Sequence, residues 1–269
     1  MGYPLDARHV CSQIVRRGSE RSPRILPDYT VRESARAKYA RLQVNVSDGL
    51  VVVVPKGFDR RRIPQLLEEK AAWIARAMQH VEAQRADRRA STVRPPTIEL
   101  PAIGHAWRLD WERTNAQNVI VTPLAESGLR VAGPIDDPAV WRPALRRWLI
   151  DRGREHLIPW AEAIARELDV TVGRVSVRCQ KTRWGSLTTR PGRPASISLN
   201  AQLLFLLERL VRFVVVHELC HADHPNHSPD FWDLVRANEP NVNQLRAELR
   251  TAGSLVPPWA RRSLAEPGR

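Results

Sequence analysis

Between residues 40 and 54 apolar positions alternate with polar ones. Ala40, Leu42, Val44 and Val46 form one face, Asp48-Gly49 supplies a turn, and the β-branched run Val51 to Val54 ends at Pro55. Period two around a turn dipeptide predicts a hairpin, inside a strand-like stretch that opens near Tyr29. From Arg61 to about Arg89 the period lengthens. Ile63, Leu66, Leu67, Ile74, Ala77, Met78 and Val81 fall at helical spacing with charges between them, so one long amphipathic helix is expected. Residues 91–97, STVRPPT, read as a linker. Residues 98–133 carry turn signals at Gly104, at Asn115 to Asn118 and at Ser127-Gly128, which cut the segment into several short strands.

Asp136-Asp137-Pro138 has the form of a helix start, and Val140, Trp141, Ala144, Leu145, Trp148 and Leu149 continue it on one face. This helix can extend to Leu168, with a break or kink expected at Gly153 or Pro159. Three strand-like pieces follow, at 174–180, 183–189 and 195–200, around the turn RPGRP, and Asn200 is suited to cap the next helix. Residues 201–221, AQLLFLLERLVRFVVVHELCH, are apolar nearly all the way round, which in a soluble protein means a helix in the centre of the core. The expected organisation is a disordered basic arm at 1–28 and a β-rich region with one long helix at 29–133. A second domain at 134–252 and a tail at 253–269 complete it.

Composition changes this picture little. A chain of 269 residues that is 43% hydrophobic can bury a core without covalent staples. Cys11, Cys179 and Cys220 are odd in number and widely spaced, unlike a disulfide scaffold. With no signal-like apolar segment near the N-terminus and no run of ~20 apolar residues, the expected setting is the cytoplasm and no membrane partner is expected. The net charge of +13 admits an anionic partner such as nucleic acid. Its arginines are scattered rather than gathered in a basic stripe with aromatics, which fits a generic basic surface better.

The chemistry concentrates in residues 216–232, VHELCHADHPNHSPDFW. His217, Glu218 and His221 form H-E-x-x-H, and on a helix two histidines four residues apart project from one face, one turn apart. Glu218 is turned ~100° from His217, so it can miss an ion held by the histidines and meet a water bound to it, as a general base must. Two histidines compete for the third position. If the helix continued, the His224 backbone would lie ~10 Å along the axis from that of His217, a long reach for ligand bonds near ~2 Å. Pro225 is poorly placed in a continuing helix, and Ser228-Pro229-Asp230 has the form of a new helix start. His227 sits just before that start, where a chain reversal can return it to the ion, so geometry favours His227. Cys220 points away from the His217 and His221 face and reads as a small core residue, and Cys179 likewise. Three nitrogen donors with a fourth position open describe a catalytic site holding one zinc ion.

The segments VRCQKTRWGSLTTRPGRPASISLNAQLL and VVVHELCHADHPNHSPDFW resemble the YgjP-like metallopeptidase family, and the resemblance runs from about residue 29 to 245. It implies an α+β fold, with a β-rich N-terminal half packed on a helical zincin-like half that carries a small antiparallel sheet. It also implies a zinc-dependent peptidase with His217, His221 and His227 as ligands, Glu218 as acid and base, and a peptide or protein substrate. The family usually has cysteine where this chain has Leu187. Gln180, Lys181 and Arg183 lie in the family-like segment and could line the cleft and contact the transition state, while scaffold is the other reading for Arg183 and Trp184. By analogy with zincins, the strand from Ser196 to Leu199 could hold an extended peptide if it forms the sheet edge. Two other activities stay open: a zinc hydrolase of nucleotides or other phosphoanhydrides, and a DNA-associated protease similar to the SprT-like and WLM-type enzymes.

Overall fold

The computed structural model describes residues 27–125 and 127–261. Residues 1–26 of the expected arm, with Cys11, and residues 262–269 of the expected tail lie outside them. The chain divides into two compact units after Gln84. In the first, β1 (Tyr29–Glu33), β2 (Arg41–Asn45) and β3 (Gly49–Val54) form a sheet in the order β1-β3-β2. The hairpin β2-β3 is antiparallel as its alternation predicts, and β1 adds in parallel to the other edge of β3. The Val51 to Val54 run is buried because β3 is the central strand. Its core includes Leu50, Val52, Val54, Ile63, Leu67 and Ile74.

The expected single helix is two, α1 (Ile63–Glu69) and α2 (Ala71–Ala90). The backbone opens at Lys70, with φ −104° and ψ 11°. Hydrogen bonds from the Lys70 N–H to Leu66 and from the Ile74 N–H to the Lys70 carbonyl bridge the joint, so the apolar positions stay in phase across it.

The second unit begins with β4 (Thr97–Leu100), β5 (His105–Arg113), β6 (Ile120–Leu124) and β7 (Gly128–Gly133), ordered β4-β5-β7-β6. The turns fall where the sequence signals them. Helix α3 (Pro138–Glu167) packs on this sheet through Trp141, Leu145, Trp148 and Leu149, and the Asp137 side chain caps it by accepting from the Ala139 N–H at 2.8 Å. Edge-to-face pairs Trp107–Trp148 and Trp111–Trp141 lock the two layers. The shared core explains why the division falls before this sheet rather than at residue 133.

Helix α3 is unbroken through Gly153 and Pro159. Pro159 is exposed, so the carbonyl it deprives of a partner can meet water. Gly153 has a packing reason: a Cβ there would stand 2.8 Å from Val177 Cγ1 and 3.4 Å from Ala201 Cβ. The helix therefore lies close against β8 (Val172–Arg178) and a 3-10 helical turn at Ala201–Phe205.

The second sheet of this unit is mixed rather than antiparallel. After β8 come β9 (Gly185–Arg190) and β10 (Arg193–Asn200), and the order is β8-β10-β9. The β9-β10 hairpin is antiparallel, and β10 then returns between the outer strands, parallel to β8. Residues 196–199 thus sit in the sheet centre, and β9 is the edge beside the helix that follows. That helix, α4 (Glu208–Cys220), starts later than expected because residues 201–205 form the 3-10 turn. Val211, Phe213, Val215, Val216 and Leu219 of α4 are all but fully buried, each worth about 1.5–3 kcal/mol. Helices α5 (Pro229–Asn238) and α6 (Val242–Thr251) complete the unit. Residues 253–261 are no free tail. Val256, Trp259 and Ala260 are buried, and Gln202 Nε2 donates to the Ala260 carbonyl at 2.9 Å. The fold is α+β, and among the described residues no helix is long and apolar enough to cross a membrane.

Replacing Gly153 with valine should destabilise the protein by about 1–3 kcal/mol through overpacking against Val177, read as a lower denaturant midpoint at unchanged slope.

Candidate metal centre

Helix α4 carries His217 and Glu218 in its last turn and His221 at its C-cap. The chain then tightens, with N–H groups of His221, Ala222 and His224 bonded back to Glu218, Leu219 and Cys220. Pro225 has no N–H to continue the ladder. The Ser228 hydroxyl accepts from the Phe231 N–H at 3.3 Å and, with Pro229 next, starts α5. The reversal between the helices brings His227 back over α4. One ring nitrogen from each of His217, His221 and His227 lies within 4.8 Å of the others, and His217 Nε2 is 3.2 Å from His227 Nε2. Two nitrogens bound tetrahedrally to one zinc at about 2.05 Å stand about 3.3 Å apart, so the spacing fits such an ion.

The rings are held from behind. His221 Nδ1 is 3.0 Å from the His224 carbonyl oxygen. A carbonyl can only accept, so Nδ1 carries the proton and the lone pair of Nε2 is free. Phe231, fully buried, stacks on His221 with ring centroids 4.5 Å apart, and Trp232 stacks on His227 at 5.7 Å. The Arg246 guanidinium covers the other part of this stack, 4.0 Å from the Trp232 ring. Burial, then the neighbouring imidazoles and Arg246, push His217 down to about 4, and the same causes lower His227. At neutral pH both therefore present lone pairs without first shedding a proton.

His224 is outside the cluster and serves through its backbone. Cys220 is buried in the core, and burial pushes its thiol up to about 11, so it stays protonated. Cys179 is also a buried free thiol. His105 stacks on Trp107 and has Nδ1 3.0 Å from the Ile103 carbonyl.

Glu218 is pushed up to about 7, chiefly by burial, against the opposing pull of the Leu187 backbone N–H, which donates to it, and of the Arg183 charge. A Cβ at Gly185 would stand 2.7 Å from Glu218 Cγ and 3.0 Å from Oε1, so no larger residue fits there without displacing the carboxylate. Asn200 fixes the approach to this contact. Its backbone N–H donates to Trp184 at 2.8 Å, its side-chain amide to the carbonyls of Arg183 at 2.8 Å and Gln180 at 3.2 Å, and its Oδ1 accepts from the Gln202 N–H at 3.1 Å. It is thus both the expected cap and a clamp on the 180–184 loop.

An open cleft of about 970 Å³ runs over the cluster, bounded by Arg183 and Leu187 near β9 and by Trp232 and Arg246 from α5 and α6. Of the three expected cleft residues one, Arg183, lines it, together with its neighbour Trp184. Gln180 instead turns its side chain to Ser198, 3.3 Å away, and Lys181 is not among the lining residues. Sequence reasoning missed Gly185, the clamp of Asn200, and the braces Phe231, Trp232 and Arg246. The signal available for Gly185, Asn200, Phe231 and Trp232 was their place inside the family-like segments, and Arg246 lies outside them.

Compared with known families, the chain matches the model described as YgjP-like, metallopeptidase domain, over residues 38–252. No curated protein matches it.

His227→Ala should release metal on dialysis that the unaltered protein retains, whereas His224→Ala should keep it, because His224 contributes only a carbonyl. Metal analysis of both variants checks this, and loss from His224→Ala comparable to that from His227→Ala would contradict the geometry.

Proposed function

The chain belongs to the YgjP-like metallopeptidase family, and on that premise we propose that it is a zinc-dependent peptidase in which His217, His221 and His227 hold one zinc ion and Glu218 moves the protons. The observation that carries the reading is the convergence of three nitrogen donors within 4.8 Å beside a buried carboxylate pushed up to about 7. Among the described residues no thiolate or carboxylate joins the donor group, and a neutral three-nitrogen set fits catalytic rather than structural zinc. Bound there, zinc would supply Lewis acidity and would lower the pKa of a water to about 7.

The remaining steps belong to the chain. Glu218 accepts the proton of the attacking water on a carboxylate oxygen and returns it to the departing amine. Its raised pKa matches this two-way traffic near neutral pH. The Leu187 amide orients the carboxylate, and because the donor is backbone, the leucine in place of the family's usual cysteine leaves that function intact. Arg183, lining the cleft near Glu218, is the candidate for stabilising negative charge on the substrate carbonyl oxygen. An extended peptide would pair with the edge strand β9 rather than with central β10.

Glu218→Gln should abolish peptide hydrolysis while leaving zinc bound, and retained turnover would refute the mechanism. Gly185→Ala should lower turnover on the order of a hundredfold with unchanged zinc content, since it shifts the proton carrier and not the ligands.

A further inference from the structure

The cleft is lined by three arginines, Arg183, Arg246 and Arg250, and by one carboxylate, Glu218. Several other arginines of the same unit are paired with carboxylates, among them Arg212 with Glu167 and Glu239, Arg209 with Glu248, Arg236 with Asp233 and Arg261 with Asp87. Among the described residues neither Arg246 nor Arg250 forms a salt bridge. The two are one turn apart on α6, so they share a face, and Arg250 Nε reaches back to the Arg246 carbonyl at 3.4 Å. With the Arg246 guanidinium over Trp232, the indole buttresses the fork, whose N–H groups can still engage a planar or tetrahedral anion.

Position sharpens the point. The Arg246 guanidinium lies 4.0 Å from the Trp232 ring, which itself stacks on His227 at 5.7 Å, and Arg246 lines the same cleft as His217 and His227. An unpaired cation beside a dication is unfavourable unless an anion lies between or beside them. We propose that Arg246 and Arg250 form an anion subsite of the cleft, and that the substrate carries a carboxylate or phosphate on the α6 side of the histidine cluster. This rests on the zinc reading for its location and deepens it by naming the substrate class. In peptide terms the subsite selects an acidic side chain.

The test reads binding, not turnover. Zinc-loaded protein carrying Glu218→Gln is titrated with hydroxamate-capped peptides in which glutamate or glutamine occupies each of three positions in turn. At one position the glutamate form should bind at least about tenfold tighter. The preference should fall below about threefold in Arg246→Gln and in Arg250→Gln, the second of which leaves the Trp232 stack untouched. ATP in the same competition separates the sources of the anion. Tight ATP binding that both substitutions weaken, with glutamate and glutamine peptides bound alike, keeps the subsite, assigns it to phosphate and overturns the peptidase reading. Equal affinity for glutamate and glutamine at every position, with ATP binding unaffected by either substitution, overturns the subsite.

Discussion

Everything at the site depends on the burial of α4. A helix apolar on nearly all sides can lie only inside the protein, and Val211, Phe213, Val215, Val216 and Leu219 fix it there against α3, the β8-β10-β9 sheet and the helices that follow. Such a rod has few ways to rotate or slide without opening cavities, each costly in a close-packed interior. His217 and Glu218 inherit that rigidity because they occupy its last turn. The polar chemistry begins just where the rod reaches the cleft, and the tight turn before Pro225 stops it from running past.

Burial also sets the electrostatics. A carboxylate in a poorly solvated position resists ionising, and Glu218 rises to about 7 even with a backbone amide donating to it and Arg183 nearby. His217 moves the other way for the same reason, down to about 4. Desolvation thus prepares an acid that can hold a proton at neutral pH and imidazoles that do not. Gly185 is what permits this burial: without a side chain, β9 comes into contact with the Glu218 stem and closes it off from water. Asn200 keeps that approach in register by donating to three carbonyls, of Gln180, Arg183 and Trp184, in the loop leading into β9.

Much of this was legible in the sequence because it is local. The β2-β3 hairpin, the Asp137 and Ser228 caps, and the pairing of His217 with His221 all follow from period and spacing within a few residues. The turn that returns His227 was readable from Pro225 and Ser228-Pro229. What escaped is non-local. Nothing in Ser196 to Leu199 tells that β8 will pair with its far side and make it central, and β9 is short and polar without looking like the edge that borders a cleft. The joint at Lys70 breaks no periodicity, so periodicity could not reveal it. Gly185 looks like any glycine in a strand until Glu218, thirty-three residues later, is set against it.

His227 differs from the other two histidines in having no helix beneath it. It stands on an exposed reversal, and its ring is held by a side-chain stack in which Trp232 lies on the imidazole and Arg246 on the indole. Stacks of this kind contribute on the order of 0.5–2 kcal/mol per contact, less than the packing that fixes α4. The third nitrogen is therefore the softest part of the cluster, and α6 is the element that stiffens it. Because Arg246 both completes the stack and borders the cleft, an anion that engages its guanidinium would also hold the indole, and through it His227. Substrate recognition on the α6 side and the geometry of the donor set would then share one residue.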